Sequence, residues 1–180
     1  VLLLVSSAVL MAAVVGSASA ITLKRIPDKG WQANDRVTAI LRVGNTVYIG
    51  GDFTQVMSSG GGQVANRNHA AAFNASTGAV LAWNPNPDGT VRAIASANNG
   101  SIIALGGDFT HVSGNSHNHI AEVAPGGSGA AKSWPGSANG TVRSIKAAHA
   151  RLYFGGDFTS AGGAARAHLA ALGVDAGKIQ

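Results

Sequence analysis

The sequence predicts an all-β protein built from repeated units of four short antiparallel strands. Three observations support this. Gly contributes 25 of the 180 residues and charged residues only 12%, a balance typical of turn-rich β proteins. The motif Gly-Gly-Asp-Phe-Thr occurs three times, starting at Gly50, Gly106 and Gly155. No segment keeps the 3.6-residue apolar periodicity of an amphipathic helix.

Three further markers recur with the Gly-Gly-Asp-Phe-Thr motif in a fixed order, at intervals of about fifty residues. A single shared motif can arise by chance, but four markers in the same order indicate an internal repeat. The additional markers are Val37-Thr-Ala-Ile40, Val91-Arg-Ala-Ile94 and Val142-Arg-Ser-Ile145; Trp31, Trp83 and Trp134; and His69, His119 and His168.

The second unit shows how the strands are assigned. Its first strand is Thr90–Ser96, and Asn99-Gly100 follows as a type I′ hairpin turn, in which both central residues need positive φ. The second strand, Ser101–Phe109, ends in the motif. After a Gly-, Ser-, Asn- and His-rich loop, His119–Ala124 forms the third strand and Ala130–Trp134 the fourth.

The first unit has the same plan. Its last two strands, HAAAFNA and AVLAW, are separated by the turn Ser76–Gly78, and Asn84–Gly89 leads to the next first strand. The predicted organisation is therefore a last strand of a preceding unit at 22–31, then units at 36–84, 89–135 and 140–180, the last one truncated.

Four antiparallel strands in forty to fifty residues are the sequence pattern of a β-propeller blade. The alternative is a β-solenoid, whose coils are usually shorter. Helical and leucine-rich repeats do not fit, because the helical period is absent. We therefore expect a β-propeller of four-stranded blades, represented by two and a half to three blades and hence an incomplete ring.

The segment VYIGGDFT, followed by HAAAFNASTGAVLAWNPNPDGTVRAI, resembles the delta-60 repeat propellers of secreted bacterial proteins, especially actinobacterial ones. The resemblance covers residues 31–180. It implies a propeller fold, export and frequent fusion to surface or carbohydrate-related modules. It implies no agreed catalytic residues, so none are assigned from it.

Fewer than three complete blades cannot close a propeller, which needs about four to eight. An open stack would leave blade faces wet and strand edges unpaired. The expectation is a fragment of a longer protein, partnered by its remaining blades or by fused domains. Assembly of several chains is the alternative.

Residues 1–20 carry no charge and end in Ala18-Ser19-Ala20, as the apolar part and cleavage site of a secretory signal do. A retained membrane anchor is the alternative. Cleavage would leave no membrane span and a secreted or cell-surface protein. The chain has no cysteine, so packing rather than disulfides must hold the exported fold.

The formal net charge is +5, but the basic residues are scattered and no basic run with interleaved aromatics occurs. Nucleic acid is therefore not an expected partner. No cofactor is expected, since no phosphate-binding loop, dinucleotide fingerprint or nucleophile elbow is present.

The Gly-Gly-Asp-Phe-Thr motif is interpreted as a structural joint. Glycine permits close backbone approach, the Asp accepts hydrogen bonds from its own loop, and the Phe packs between blades. The alternative is a ring of carboxylates for cations, but one Asp and one Thr per loop supply few of the six to eight oxygens that calcium takes. The residues concerned are Gly50, Gly51, Asp52, Phe53, Gly106, Gly107, Asp108, Phe109, Gly155, Gly156, Asp157 and Phe158.

Two arginines are expected to pair with the motif carboxylates. Hairpin pairing brings Arg92 near Asp108 and Arg143 near Asp157. The first unit has Thr38 at that position, which suggests that the pair is not essential to the repeat.

The remaining candidates for ligand contact are aromatic and imidazole side chains. Trp31, Trp83 and Trp134 could stack on a sugar ring, but a Trp repeated at one blade position more often packs. His117 and His119 share a strand face and are a weak metal site; solvated loop histidines are the alternative.

Two functions remain open. The first is an exported propeller that serves as a binding or interaction scaffold, with a carbohydrate or a protein as ligand. The second is the propeller part of a secreted glycan-acting hydrolase or lyase. Only eight acidic residues are present, so paired catalytic carboxylates would have to lie outside this sequence. A truncated chain without function is the third interpretation.

Overall fold

The computed structural model describes residues 30–59 and 61–174, and the prediction of an all-β fold is confirmed for them. The only helical element among these residues is a 3-10 turn at Asn98–Gly100. The strands are β1 (Trp31–Ala33), β2 (Val37–Val43), β3 (Thr46–Gly51), β4 (Gln55–Ser58), β5 (Val64–Asn66), β6 (Ala70–Asn74), β7 (Val91–Ala97), β8 (Ile102–Gly107), β9 (His111–Val112), β10 (Asn115–Ser116), β11 (Ile120–Val123), β12 (Val142–Ala148), β13 (Arg151–Gly156), β14 (Ser160–Ala161), β15 (Ala164–Ala165) and β16 (Leu169–Gly173).

Three antiparallel sheets carry the architecture, one from each repeat unit. Sheet 1 has the order β2-β3-β6, sheet 2 the order β7-β8-β11 and sheet 3 the order β12-β13-β16. A valine at the start of the first strand pairs with the second motif glycine in every sheet, and a bulge follows it: Val37 with Gly51, Val91 with Gly107, Val142 with Gly156. The three sheets therefore share one register.

The predicted fourth strands are reduced to single bridges, between Phe73 and Val80 and between Val123 and Ala131. The Trp134 amide donates to the Lys132 carbonyl at 2.8 Å, so the chain turns just before the indole. This turn sends the indole inward and ends the ladder. Units 1 and 2 are therefore each three strands and a bridge rather than four strands, and the predicted last strand of unit 3 lies outside the described residues.

Each loop that follows the motif contains a hairpin that the sequence did not reveal. These hairpins are β4-β5, β9-β10 and β14-β15. Strand β1 pairs with β4, placing Trp31 opposite Ser58. Of the predicted strand at 22–31, residues 22–29 lie outside the described residues, as do the apolar segment 1–20 and residues 175–180.

The turn at Asn98–Gly100 is longer than predicted. Asn98, Asn99 and Gly100 have φ of 47°, 52° and 90°, and Ala97 pairs with Ile102 across a four-residue loop. The expected positive φ at Asn99 and Gly100 is present, but the turn is not a two-residue one.

The sheets pack face to face in chain order. One buried cluster joins sheets 1 and 2 through Tyr48, Val91 and Ile103, with Trp83 beside them. A second joins sheets 2 and 3 through Ile102, Val142 and Phe154, with Trp134 beside them. Within residues 30–174 the sheets do not close into a barrel or ring. None of the described residues forms a helix long and apolar enough to cross a membrane.

Candidate functional site

The second glycine of each motif lies against the backbone of its own first strand. A Cβ on Gly51, Gly107 or Gly156 would lie 2.0, 1.9 or 2.0 Å from the carbonyl oxygen of Arg36, Thr90 or Thr141, respectively. The next residue, the motif Asp, donates its amide to that same oxygen, as Asp108 does to Thr90 at 2.9 Å. Only glycine fits where the motif passes so close to this carbonyl oxygen.

The first glycine of the motif receives a side chain from the next sheet. A Cβ on Gly50 would lie 2.5 Å from a methyl carbon of Val91, and a Cβ on Gly106 would lie 2.6 Å from the same atom of Val142. The second glycine therefore permits a close backbone contact within a sheet, and the first permits close packing between neighbouring sheets.

Asp52 and Asp108 each bind an arginine of their own unit and a threonine of the next unit. Arg92 donates Nε to both carboxylate oxygens of Asp108, at 3.0 and 2.9 Å, and Thr141 of the next unit donates its hydroxyl at 2.8 Å. Thr90 likewise donates to Asp52 at 2.6 Å across the preceding joint. In units 2 and 3 the bulge of the first strand falls at Arg92 and Arg143. A bulge can redirect a side chain, and both arginines reach the carboxylate of their own unit.

Unit 1 keeps the ion pair despite Thr38, and this corrects the expectation drawn from the sequence. Arg36, two positions earlier, donates Nε to Asp52 at 2.8 Å. Thr38 instead donates its hydroxyl to the carbonyl of Val91 in sheet 2, at 2.6 Å. Arginine and threonine have exchanged places along this strand.

The hydrogen bonds from arginine and threonine side chains keep the motif carboxylates ionised and bound to partners within the protein. The hydrogen bond from Thr90, followed by that from Arg36, lowers the pKa of Asp52, and the hydrogen bond from Arg92 lowers the pKa of Asp108. The hydrogen bond from Arg143 does the same to the pKa of Asp157. A carboxylate already bound to a guanidinium is a poor cation ligand. The geometry supports a joint rather than a cation site.

The motif Phe and the repeated His complete the joint. Phe53, Phe109 and Phe158 are fully buried. His69, His119 and His168 have left-handed φ of 59°, 64° and 66°, and each Nδ1 lies 3.1 Å from the carbonyl of the second motif glycine. The imidazoles thus hold the loops closed.

The metal candidates do not form a cluster. His119 is engaged by Gly107 through Nδ1, whereas His117, two residues earlier, is buried, and that burial lowers its pKa. Among the described residues, no group of three or more His, Cys, Asp or Glu side chains is placed to hold a metal ion.

A second repeated contact, in which a side chain before the first strand binds the loop after the motif, was not predicted from the sequence. We call this contact the loop clamp. Asn34, Asp88 and Asn139 precede the first strands, and one side-chain oxygen of each accepts two backbone amides from the loop after the motif. For Asp88 these amides belong to Thr110 and His111, at 2.7 and 2.9 Å. The repeat of this position is not obvious in the sequence, because the residue is Asn in two units and Asp in one.

Asp88 offers a pH-dependent test of this clamp. Partial burial raises its pKa, but hydrogen bonds from the His111 and Thr110 amides, the Thr110 hydroxyl and the His111 ring outweigh burial and lower the pKa well below its usual range. A lowered folded-state pKa stabilises the fold above the unfolded pKa of about 3.9, and this stability is lost as pH falls below it.

We expect Asp88→Asn to retain the fold at pH 7, because Asn34 and Asn139 make the same contacts. Asp88→Ala should cost about 1 kcal/mol. Urea unfolding at pH 7 and at pH 3 measures both effects. The Asn variant should lose less stability on acidification than the native chain, and an equal loss would show that Asp88 is not the titrating group.

The three tryptophans differ in accessibility. Trp83 and Trp134 are 1% and 4% exposed, and their indole N–H groups donate to Ala124 and Gly173 of the following unit at 2.8 and 3.1 Å. Neither presents a ring face to solvent for a sugar. Trp31 is half-buried beside an open cleft that Val37 and Ile40 of sheet 1 also line.

A polar groove lies beside the β9-β10 hairpin. Its volume is about 770 Å³, and its lining includes Asn115, Ser116, His117, Lys132, Ser133 and Trp134. In unit 1 the position of His117 is held by Arg67, whose guanidinium reaches the Leu81 carbonyl at 2.8 Å. In unit 2 the imidazole of His117 lines the groove instead.

Neither a scan against protein-family models nor a search of curated proteins finds a match to this sequence.

Proposed function

We propose that the chain is part of an exported β-propeller that serves as a binding scaffold, with carbohydrate as the ligand class. The blades correspond to residues 36–84, 89–135 and 140–180. Support for a propeller comes from sheets that stack face to face with the same joint at intervals of about fifty residues. The resemblance to delta-60 repeat propellers points the same way.

Export is supported by the sequence alone. The uncharged segment 1–20 ends as secretory signals do. A secreted or cell-surface location follows from this proposal, with remaining blades or fused domains of a longer chain as partners.

The groove of unit 2 is the observation that carries the binding function. Hydroxyl, amide, imidazole and ammonium groups line it, and these are donors and acceptors that sugar hydroxyls satisfy. Burial lowers the pKa of His117, which favours a neutral ring that can both donate and accept. The groove lies beside the loop after the motif, and loops held by a rigid scaffold often carry binding residues.

The carboxylates argue against hydrolysis within the described residues. Asp52, Asp108 and Asp157 are bound to arginines, Asp88 is bound to its loop, and Glu122 is fully buried. Asp35, the remaining acidic residue of the described part, is exposed and accepts the Arg36 amide. Glycosidases of the common kind use two carboxyl groups flanking the scissile bond. The described part of the chain provides no such pair.

A glycan array probed with the purified chain tests the proposal. We expect binding to a subset of polysaccharides, reduced at least about tenfold by Ser133→Trp, which fills the groove from an exposed position. Ser101→Trp, exposed at the opposite end of sheet 2, is the matched control. Absence of glycan binding, or equal binding by both variants, would refute the proposed site.

A further inference from the structure

Unit 2 differs from the other units at three neighbouring positions around the loop after the motif. The loop clamp has Asp88 where units 1 and 3 have asparagine, although asparagine makes the same backbone contacts. The short hairpin of unit 2 begins at His111 and ends at Ser116. Folding of the loop does not require this combination, because the corresponding residues are Asn34, Gln55 and Asn66 in unit 1 and Asn139, Ser160 and Ala165 in unit 3.

His111 lies between Asp88 and Ser116. On one side, the Asp88 amide donates to the His111 carbonyl at 3.1 Å, and the ring Nδ1 of His111 lies 3.0 Å from Oδ2 of Asp88. On the other side, β10 pairs with β9 in the register that places Ser116 directly opposite His111. The three residues therefore follow one another in space as carboxylate, imidazole and hydroxyl.

Asp88 determines which nitrogen of the His111 ring carries the proton. An ionised carboxylate only accepts hydrogen bonds, so its contact with Nδ1 requires the proton of the neutral ring to be on that nitrogen. The Thr110 hydroxyl donates to the same carboxylate oxygen at 2.7 Å. The lone pair on Nε2 can then accept a proton from a ligand or a neighbouring hydroxyl, and the His111 side chain is 53% exposed.

Ser116 and His111 form the closer kind of antiparallel pair. The His117 amide donates to the Thr110 carbonyl at 2.8 Å, so the next pair, Ser116 and His111, is not hydrogen-bonded through its backbone. The two Cα atoms of such a pair are about 4.5 Å apart, and the facing side chains are close. The same geometry points the Ser116 amide away from β9, toward the open edge of the hairpin.

The same register of unit 1 shows that side chains meet at this position. Gln55 donates Nε2 to Oδ1 of Asn66, directly opposite, at 3.1 Å. In unit 2 the Ser116 hydroxyl and the His111 ring lie opposite each other without a hydrogen bond between them. Catalytic hydrogen bonds are often long in free enzymes and tighten when the substrate binds.

Ser116 also lines the polar groove. An acyl ester on a ligand in the groove would lie beside the Ser116 hydroxyl, and the outward amide of the same residue could bind the ester carbonyl oxygen as charge develops on it. Hydrolysis of an ester by a serine, a histidine and an aspartate uses a single carboxylate, whereas cleavage of a glycosidic bond commonly uses two.

We propose that Ser116, His111 and Asp88 form an esterase site, whose substrates are acyl esters, such as acetyl groups, on the carbohydrate in the groove. The carbohydrate part rests on the proposed function, whereas the ester chemistry does not. Nε2 of His111 takes the Ser116 proton as Oγ attacks the acyl carbon, and gives it to the sugar oxygen as the ester C–O bond breaks. Water then attacks the acyl-serine and loses its proton to Nε2; that proton returns to Oγ as the carboxylic acid leaves. Asp88 is a positioning residue, since it acts through His111.

Hydrolysis of p-nitrophenyl acetate by the purified chain, and covalent labelling by a fluorophosphonate, test the proposal. We expect the label on Ser116 in peptide mass spectrometry. Ser116→Ala and His111→Gln, which copy residues of units 3 and 1, should each lower kcat at least about 100-fold. Asp88→Asn should keep the fold and KM but lower kcat at least about tenfold. Ser101→Ala, at an exposed residue outside the groove, is the control and should keep the native kcat.

An unlabelled Ser116, or native kcat in Ser116→Ala or Asp88→Asn, would overturn the proposal, because hydrolysis would then come from an exposed imidazole alone. A labelled Ser116 together with a failed glycan array would support the esterase and refute the carbohydrate function. Glycan binding without any label on Ser116 would support the proposed function and refute the esterase.

Discussion

Replacing Gly107 by Ala is expected to cost more than about 3 kcal/mol of unfolding free energy. The added Cβ would lie 1.9 Å from the Thr90 carbonyl oxygen. That oxygen also accepts the Asp108 amide, so neither strand can move away without breaking the joint. Urea unfolding followed by circular dichroism measures the loss.

Gly126→Ala is the matched control for this substitution. Gly126 is exposed, has no atom within 4 Å of an added Cβ and does not have positive φ. Its substitution should leave stability unchanged or raise it slightly. Similar unfolding curves for the two variants would contradict the close backbone contact at Gly107.

Replacing Trp83 by Ala should cost about 3–5 kcal/mol, the range typical of removing a large buried aromatic side chain. Its indole is 1% exposed, meets the Tyr48 ring edge-on at a centroid distance of 5.0 Å, and donates to the Ala124 carbonyl. Gly129 lies directly beneath the ring, with an added Cβ placed 2.7 Å from Nε1. The residue holds sheets 1 and 2 together.

Trp31→Ala provides the comparison, because Trp31 is half-buried beside the open cleft of sheet 1. In a single chain it should lose much less stability than Trp83→Ala, as thermal unfolding at low protein concentration would show. If Trp83→Ala unfolded like the native chain but lost glycan binding, the packing role would be wrong and the ligand role restored.

The sequence predicts the main strands well because the hydrophobic pattern and the motif lie within them. For unit 2 the predicted first three strands overlap β7, β8 and β11. The hairpins were missed because β9-β10 and β14-β15 are two-residue strands in Gly- and Ser-rich loops. Such short ladders are determined by contacts with distant residues, such as the amides bound by Asp88 and Asn139, rather than by local propensity.

The ion pair of unit 1 and the polar groove of unit 2 were harder to predict, because both depend on the identities and positions of single side chains. Aligning Val37 with Val91 places Thr38 opposite Arg92, and the sequence gives no sign that Arg36 reaches the same carboxylate from the other side of the valine. Long arginine side chains can preserve a contact while changing position. The polar groove is lined by His117, at the position that Arg67 holds in unit 1, and no single-sequence pattern signals a groove from that difference.

A double-mutant cycle across the second joint tests most directly whether the motif carboxylate joins neighbouring sheets. The variants are Asp108→Ala, Thr141→Val and the pair, each measured by urea unfolding at pH 7. Because Asp108 accepts the Thr141 hydroxyl at 2.8 Å, the cycle should give a coupling energy of about 1 kcal/mol. Strictly additive losses would contradict the account, since the carboxylate would then act only within its own unit.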